Sequence, residues 1–100
     1  KKRLTYEDVA SGRVEELDVD ILVLCTPLLP SSRNARLAKV LRVQLDEFGF
    51  FKERDPVNAP LEAADGIYLC GGATGPIDIS ESVAQAAAAS MKAALKAMAR

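Results

Sequence analysis

The chain has 100 residues and a formal net charge of −1; 49% of its residues are hydrophobic, but only 5% are aromatic, so it can build only a small core. The balanced charge gives no reason to expect a nucleic-acid partner, and no apolar run approaches the roughly 20 residues of a membrane span. The first residues, KKRLTYED, lack the apolar stretch of a signal peptide, which predicts a cytoplasmic location.

Residues 1–30 are predicted to form a hairpin followed by a buried strand. Residues 3–8 and 13–19 are strand-like, with apolar side chains among charged ones, and the small residues 10–12 between them predict a hairpin turn. Residues 21–25 form a continuous apolar run, which is typical of a strand covered on both faces. Pro27 and Pro30 would end that strand, because proline cannot donate to a sheet.

Residues 31–65 are predicted to contain a short helix, a hairpin and a loop. Polar residues 31–34 can cap a helix of about three turns, with Leu37, Val40 and Leu41 as its apolar positions and four basic residues around the rest. Residues 43–45 and 50–51 flank a hairpin turn at 46–49. The prolines and the asparagine in residues 54–65 predict an extended surface loop.

Residues 66–100 are predicted to form a strand at 67–70, a glycine-rich turn at 71–76 and a long helix that starts at Ile79. Asp78 and Glu81 have the spacing of a capping box. One apolar arc of the helix is expected to dock on a sheet. Lys92, Lys96 and Arg100 complement the negative end of the helix dipole.

This strand, glycine turn and helix start together form the candidate binding site. Such an arrangement presents backbone N–H groups and the positive end of a helix dipole, where an anion or an electron-rich ring edge can bind. A nucleotide or a flavin would fit that description. The alternative is that the glycines only make a tight connection between strand and helix.

The residue types exclude several kinds of chemistry. The chain has no histidine and no CxxC motif, so it cannot build a histidine-dependent catalytic site, a zinc site or a dithiol redox pair by itself. Cys25 and Cys70 stand in apolar runs and are predicted to be buried, unreactive thiols. No catalytic residue and no metal ligand is assigned.

Three segments of the chain resemble the C-terminal part of the FAD-binding module in flavoproteins like the A subunit of heterodisulfide reductase, in the pyridine nucleotide-disulfide oxidoreductase class. They are GIYLCGGATGPIDISESVAQAAAAS at 66–90, QLDEFGFFKERDP at 44–56 and, more weakly, DILVLCTPLLPS at 20–31. The resemblance implies an α/β fold: a fragment of an FAD/NAD(P)-binding Rossmann-like module, with a short mixed sheet, an N-terminal β-hairpin and a long C-terminal helix. It also implies that residues 1–30 are the end of a nucleotide-domain-like sheet.

The resemblance also implies which residues contact the flavin. The glycine turn would approach the ribityl and pyrophosphate of FAD, and the start of the last helix would face the flavin's pyrimidine edge. The cofactor-binding residues so implied are Gly71, Gly72, Ala73, Ile79, Ser80, Glu81 and Ser82. Gly72 stands where the class has an acidic residue, and Pro27 replaces a small residue of the earlier turn.

By this resemblance the parent protein is an FAD-dependent oxidoreductase that transfers electrons to thiol, disulfide or iron–sulfur partners. Its partners would be the remainder of the flavoprotein and its electron-transfer subunits. The chain has no GxGxxG motif and no cysteine cluster for iron–sulfur centres, so alone it is expected to be inactive and to bind FAD weakly. Because the strands predicted at 21–25 and 67–70 would lack their sheet neighbours, the isolated chain is expected to form a homodimer. The alternative is a non-catalytic interaction or dimerisation module with a structural glycine turn.

Overall fold

The computed structural model describes residues 1–99. It contains two helices, four strands and one 3-10 turn: β1 (Lys2–Asp8), β2 (Arg13–Val19), α1 (Asn34–Leu41), β3 (Glu62–Ala64), β4 (Ile67–Tyr68), the 3-10 turn Gly71–Ala73 and α2 (Ile79–Met98). The strands form two separate antiparallel pairs, β1 with β2 and β3 with β4. The chain is therefore mixed α/β, as predicted, but the described residues form two small antiparallel sheets instead of one mixed sheet.

The predicted N-terminal hairpin is confirmed. Leu4 pairs with Leu17 in the middle of β1 and β2. The turn between them closes through Gly12, whose positive φ of 66° is readily adopted only by glycine. The carboxylate of Asp8 accepts hydrogen bonds from the backbone N–H groups of Ala10 and Ser11, each at 3.2 Å. Short-range turn chemistry thus fixes this hairpin.

The predicted strand at residues 21–25 is wrong. Residues 21–29 form no regular secondary structure and are all exposed. A strand requires a neighbour that satisfies its backbone N–H and C=O groups, and the described residues place no strand beside this segment. The segment has the apolar composition of a strand, but the pairing that would make it one is missing among residues 1–99.

Helix α1 is shorter than predicted and starts differently. It has eight residues, about two turns, and its N-cap residue is Arg33, with no hydrogen bond from a capping side chain. The predicted polar cap is therefore wrong, although Ser31 Oγ accepts from the N–H of Arg33 at 3.3 Å. The helix ends at Arg42 in the left-handed conformation, and Ala38 is its one buried residue.

The predicted hairpin at 43–51 is confirmed, but its two arms are joined by a single antiparallel β-bridge. Leu45 pairs with Phe51, and the N–H of Asp46 donates to the carbonyl of Phe50 at 2.8 Å. Asp46 Oδ1 accepts from the backbone N–H groups of Phe48, Gly49 and Phe50 at 2.8 to 2.9 Å. One carboxylate therefore organises the whole turn.

The loop predicted at 54–65 contains buried structure that its sequence does not predict. Strand β3 lies at its end, and Glu62 and Ala63 are buried. The N–H of Arg54 donates to the carbonyl of Glu62 at 2.8 Å, and the Arg54 guanidinium pairs with the Glu62 carboxylate at 3.2 Å. These bonds fold the loop back on itself, so that β3 reaches the core.

The core is a small cluster around one aromatic ring. Phe51 packs with Ala38, Ala63 and Leu69. The radius of gyration of 19.9 Å, with extents of 64 × 27 × 25 Å, exceeds the roughly 13 Å of a compact 100-residue domain. The described chain is thus elongated, with its core at the centre of the α1, β3 and β4 region.

Helix α2 starts at Ile79, as predicted, and Asp78 caps it by accepting from the N–H of Glu81 at 2.7 Å. The expected docking of a whole apolar arc on a sheet is wrong for residues 79–99, where only Ala89 is buried. Lys92 and Lys96 donate to the Pro60 carbonyl and to Asp65, which ties the helix to the preceding loop. Arg100 lies outside the described residues. Among residues 1–99, no helix combines the length and hydropathy that crossing a bilayer requires.

The prediction of two buried thiols is also wrong, because Cys25 and Cys70 are both exposed. Cys25 stands in the uncovered segment 21–29. Cys70 follows the buried Leu69, and successive side chains of an extended chain point to opposite sides, so it faces outward.

We therefore expect both cysteines to react with a thiol reagent in the folded protein. Thiol counting in dilute solution should give two rapidly labelled groups with and without denaturant, since neither thiol needs unfolding to become accessible. Slow labelling of Cys25 in the native state would contradict this and would mean that segment 21–29 is covered.

Candidate functional site

The glycine turn and the start of α2 lie side by side. Gly71 has a positive φ of 65°, which lets the chain leave β4 and enter the 3-10 turn. A methyl group added at Gly71 would lie 3.8 Å from both Cβ and Oγ of Ser82. The structure therefore brings Gly71 and Ser82, two of the residues implied by the resemblance, into contact distance.

Gln85 locks the turn onto the helix. Its Oε1 accepts from the backbone N–H of Gly71 at 2.9 Å and from the hydroxyl of Thr74 at 3.3 Å. The same hydroxyl lies 3.0 Å from the Gly71 carbonyl. The sequence analysis assigns no role to Gln85 or Thr74. No local spacing pattern shows that the side chain of Gln85 on α2 contacts Gly71, which lies 14 residues earlier in the chain.

The other two residues of the turn, Gly72 and Ala73, differ in their surroundings. Gly72 is exposed, and a Cβ built there would meet nothing within 4 Å. The carbonyl of Ala73 accepts from the N–H of Phe51 at 2.9 Å, which fixes the turn to the core. In the part of the chain that the structure describes, the N–H group of Gly72 has no hydrogen-bond partner, whereas Ala73 belongs to the hydrogen-bonded 3-10 turn.

The first turn of α2 has two further unused donors. The carboxylate of Asp78 accepts from the N–H of Glu81, and the backbone carbonyl of Asp78 accepts from Ser82 Oγ at 2.7 Å. Within residues 1–99 the N–H groups of Ile79 and Ser80 remain without an acceptor. Both residues are exposed, so these donors face solvent.

The electrostatics of this helix start favour a neutral acceptor over a phosphate. The carboxylates of Asp78 and Glu81 stand at the N-cap and in the first turn and offset the positive end of the helix dipole. An anion would be repelled by both, whereas a neutral carbonyl oxygen could still accept from Ile79 and Ser80. The site can therefore hydrogen-bond the polar edge of a ring.

A cavity of about 400 Å³ adjoins the turn, within the size range of small-molecule sites. It lies between the loop after Asp46, residues 28–30 and residues 74–76, and Phe48 and Phe50 form part of its wall. Its lining is mostly apolar. In residues 1–99 no three His, Cys, Asp or Glu side chains converge to hold a metal ion.

Of the seven residues implied by the resemblance, Gly71 and Ser82 have polar groups that already bond within the protein. Glu81 has its N–H bonded to Asp78. Ala73 lies inside the hydrogen-bonded 3-10 turn. The three whose N–H groups remain available are Gly72, Ile79 and Ser80.

Several known proteins match this chain closely. The A subunit of ferredoxin:CoB-CoM heterodisulfide reductase from Methanosarcina acetivorans is 38% identical over 88 residues, which is 87% of this chain and 11% of that protein. The iron-sulfur A subunit of CoB--CoM heterodisulfide reductase from Methanocaldococcus jannaschii is 44% identical over 81 residues, 80% of this chain and 12% of that protein. The A subunit of H(2)/formate:CoB-CoM heterodisulfide,ferredoxin reductase from Methanococcus maripaludis is 40% identical over 97 residues, 94% of this chain and 15% of that protein.

These matches cover most of this chain but a small part of each relative. The chain spans 11 to 15% of the length of these three proteins. No profile of a known protein family matches it.

Proposed function

We propose, from the homology of this chain to one segment of the heterodisulfide reductase A subunit, that it supplies the C-terminal flavin contacts of an FAD-dependent oxidoreductase. In the complete protein these contacts would serve electron transfer to thiol, disulfide or iron–sulfur partners. The partners would be the rest of the flavoprotein and its electron-transfer subunits, in a cytoplasmic complex. The β4, glycine turn and α2 unit would then belong to a Rossmann-like module completed by other segments.

One observation carries this proposal. Unused backbone donors at Gly72, Ile79 and Ser80 lie on two elements that Gln85 holds together. Donors that are fixed before binding require little reorganisation when an acceptor arrives. Such an arrangement suits a ligand with several carbonyl oxygens along one edge.

The fit to FAD is best for its ring. A flavin's pyrimidine edge has carbonyl oxygens, which Ile79 N–H and Ser80 N–H could meet. The open space at Gly72 allows close approach of a cofactor to the turn. Gly71 does not fit as a donor, because Gln85 already accepts from its N–H. Bound flavin would supply the electron-carrying chemistry, while these residues would bind and orient it.

A titration followed by ¹⁵N-resolved NMR tests the proposal. We expect FAD to bind this chain more weakly than about 1 µM, because part of the cofactor's contacts are absent and ordering a ligand is costly. The shifted amides should be those of Gly72, Ile79 and Ser80. Riboflavin should reproduce the shifts at Ile79 and Ser80, and ADP should not.

A pair of variants at one position makes the test sharper. Ile79→Pro removes one unused N–H at the first helical position, where proline is well tolerated, and Ile79→Ala keeps that N–H. We expect only the proline variant to lose the flavin-induced shift at Ser80. Equal binding by both variants, or shifts confined to the cavity near Phe48, would overturn the assigned contacts.

The rival function is a non-catalytic interaction module, and one observation favours it. The hydrogen bonds of Gln85 and Thr74 give the glycine turn a structural role that needs no ligand. Absence of any amide shift at millimolar FAD would favour this module over the flavin site.

We also propose that the isolated chain is a homodimer. Met91, Leu95 and Met98 are exposed and share one side of α2 by helical spacing, and an exposed apolar patch marks an interface. Light scattering behind a sizing column should give twice the mass of 10.7 kDa. A monomer mass that persists at high concentration would contradict this.

A further inference from the structure

Helix α1 carries a basic and apolar face that the flavin site does not use. Ala38 packs into the core, and a rotation of 100° per residue places Arg33, Arg36, Leu37 and Val40 on the outer side of the helix. These four residues line a shallow cleft of about 590 Å³. We name this surface the outer face of α1.

The charges of this face are unbalanced. Residues 21–45 contain four basic residues and no acidic one, in a chain whose formal net charge is −1. Arg3, Arg54 and Lys96 each pair with a carboxylate. In the part of the chain that the structure describes, the guanidinium groups of Arg33 and Arg36 have no such partner.

Apolar side chains lie between these charges. Leu37 is 46% exposed and Val40 is 72% exposed, so the face offers apolar contact area flanked by two guanidinium groups. Arginine is enriched in protein interfaces, and its planar fork can bind a carboxylate through two parallel hydrogen bonds.

We propose that the outer face of α1 docks a separate protein through an acidic, amphipathic segment of that partner. Carboxylates of the partner pair with Arg33 and Arg36, and its apolar side chains pack on Leu37 and Val40. Permanent interfaces are more hydrophobic than this face, so its composition fits a partner that associates and dissociates. Opposite charge then steers the encounter. The inference does not depend on the proposed flavin site.

Fluorescence anisotropy with a labelled helical peptide tests this. The probe has about 16 residues, in repeats of Glu-Leu-Leu-Glu, and the control peptide has Gln in place of every Glu. We expect the acidic peptide to bind more tightly than the control. Its affinity should fall when the salt concentration is raised to about 0.5 M.

The double variant Arg33→Glu with Arg36→Glu should bind the acidic peptide at least about tenfold more weakly, since two charge pairs become repulsive. Acidic residues near a helix N-terminus are stabilising, so α1 should stay folded, which circular dichroism checks. The double variant Lys2→Glu with Arg13→Glu is the matched control, because it makes two charge changes of the same kind in the distant β1–β2 hairpin.

Three results would overturn the proposal. Equal binding of the two peptides would remove the role of charge, and an equal loss with the matched double variant Lys2→Glu, Arg13→Glu would reduce the effect to net charge. Tighter binding of a duplex DNA than of the acidic peptide would assign the face to nucleic acid instead.

Discussion

Replacing Phe51 by alanine will lower the free energy of unfolding by about 3 kcal/mol or more. Phe51 is 8% exposed and is the only aromatic ring in the described core cluster, where it packs with Ala38, Ala63 and Leu69. These neighbours belong to separate segments and cannot close over the space at once. The expected loss is large because the whole core is small.

Phe48→Ala is the matched control, with the same chemical change three residues away. Phe48 is 71% exposed, so its removal should change the free energy of unfolding by about 0.5 kcal/mol or less. Chemical denaturation followed by circular dichroism compares the two variants. Similar losses would mean that the ring of Phe48 is covered in solution, for example against the neighbouring cavity.

Replacing Gln85 by alanine will loosen the glycine turn and cost about 1 to 2 kcal/mol of stability. The change leaves the N–H of Gly71 and the hydroxyl of Thr74 without the acceptor that they share. We expect faster hydrogen exchange at the Gly71 amide and a lower unfolding midpoint. Because the turn also bonds to Phe51 through Ala73, the core should remain assembled.

Gln85→Glu distinguishes the loss of the acceptor from the loss of the side chain. A carboxylate oxygen can take the same two hydrogen bonds, so this variant should keep protection at Gly71. If the glutamate variant loses as much stability and protection as the alanine variant, the acceptor role of Gln85 is wrong.

The parts of this fold that the sequence predicted are those set by neighbours along the chain. The β1–β2 hairpin follows from Gly12 and from the carboxylate of Asp8 beside it. The start of α2 follows from Asp78, whose carboxylate accepts from the N–H of the residue three positions later. In each case the stabilising partner is within four residues, and the sequence shows it directly.

The parts that could not be predicted depend on distant partners. Residues 21–25 look like a strand by composition, yet strand formation needs a neighbour that no local pattern guarantees. The burial of Glu62 and Ala63 depends on Arg54 and on the core. Cys70 is exposed because the preceding residue, Leu69, is the one that points into the core.

The homology with the heterodisulfide reductase A subunit is confirmed, but the detail of the candidate site could not be predicted. Of the seven residues that the resemblance implies, the structure brings Gly71 and Ser82 into contact distance. Which N–H groups stay free, however, is decided by the side chains of Gln85 and Asp78. Flavin binding at these residues stays a prediction.

The exposed segment 21–29 also bears on how the protein behaves at high concentration. Residues 21–25, ILVLC, are β-branched or otherwise strongly apolar, with neither charge nor proline, and short segments of this kind stack readily into intermolecular β-structure. Asp20 before the run and Pro27 after it act against such stacking, as charges and prolines do at the ends of aggregation-prone segments. Solubility of the isolated chain therefore rests on these two flanking residues, and covering the segment in a larger assembly would remove the hazard.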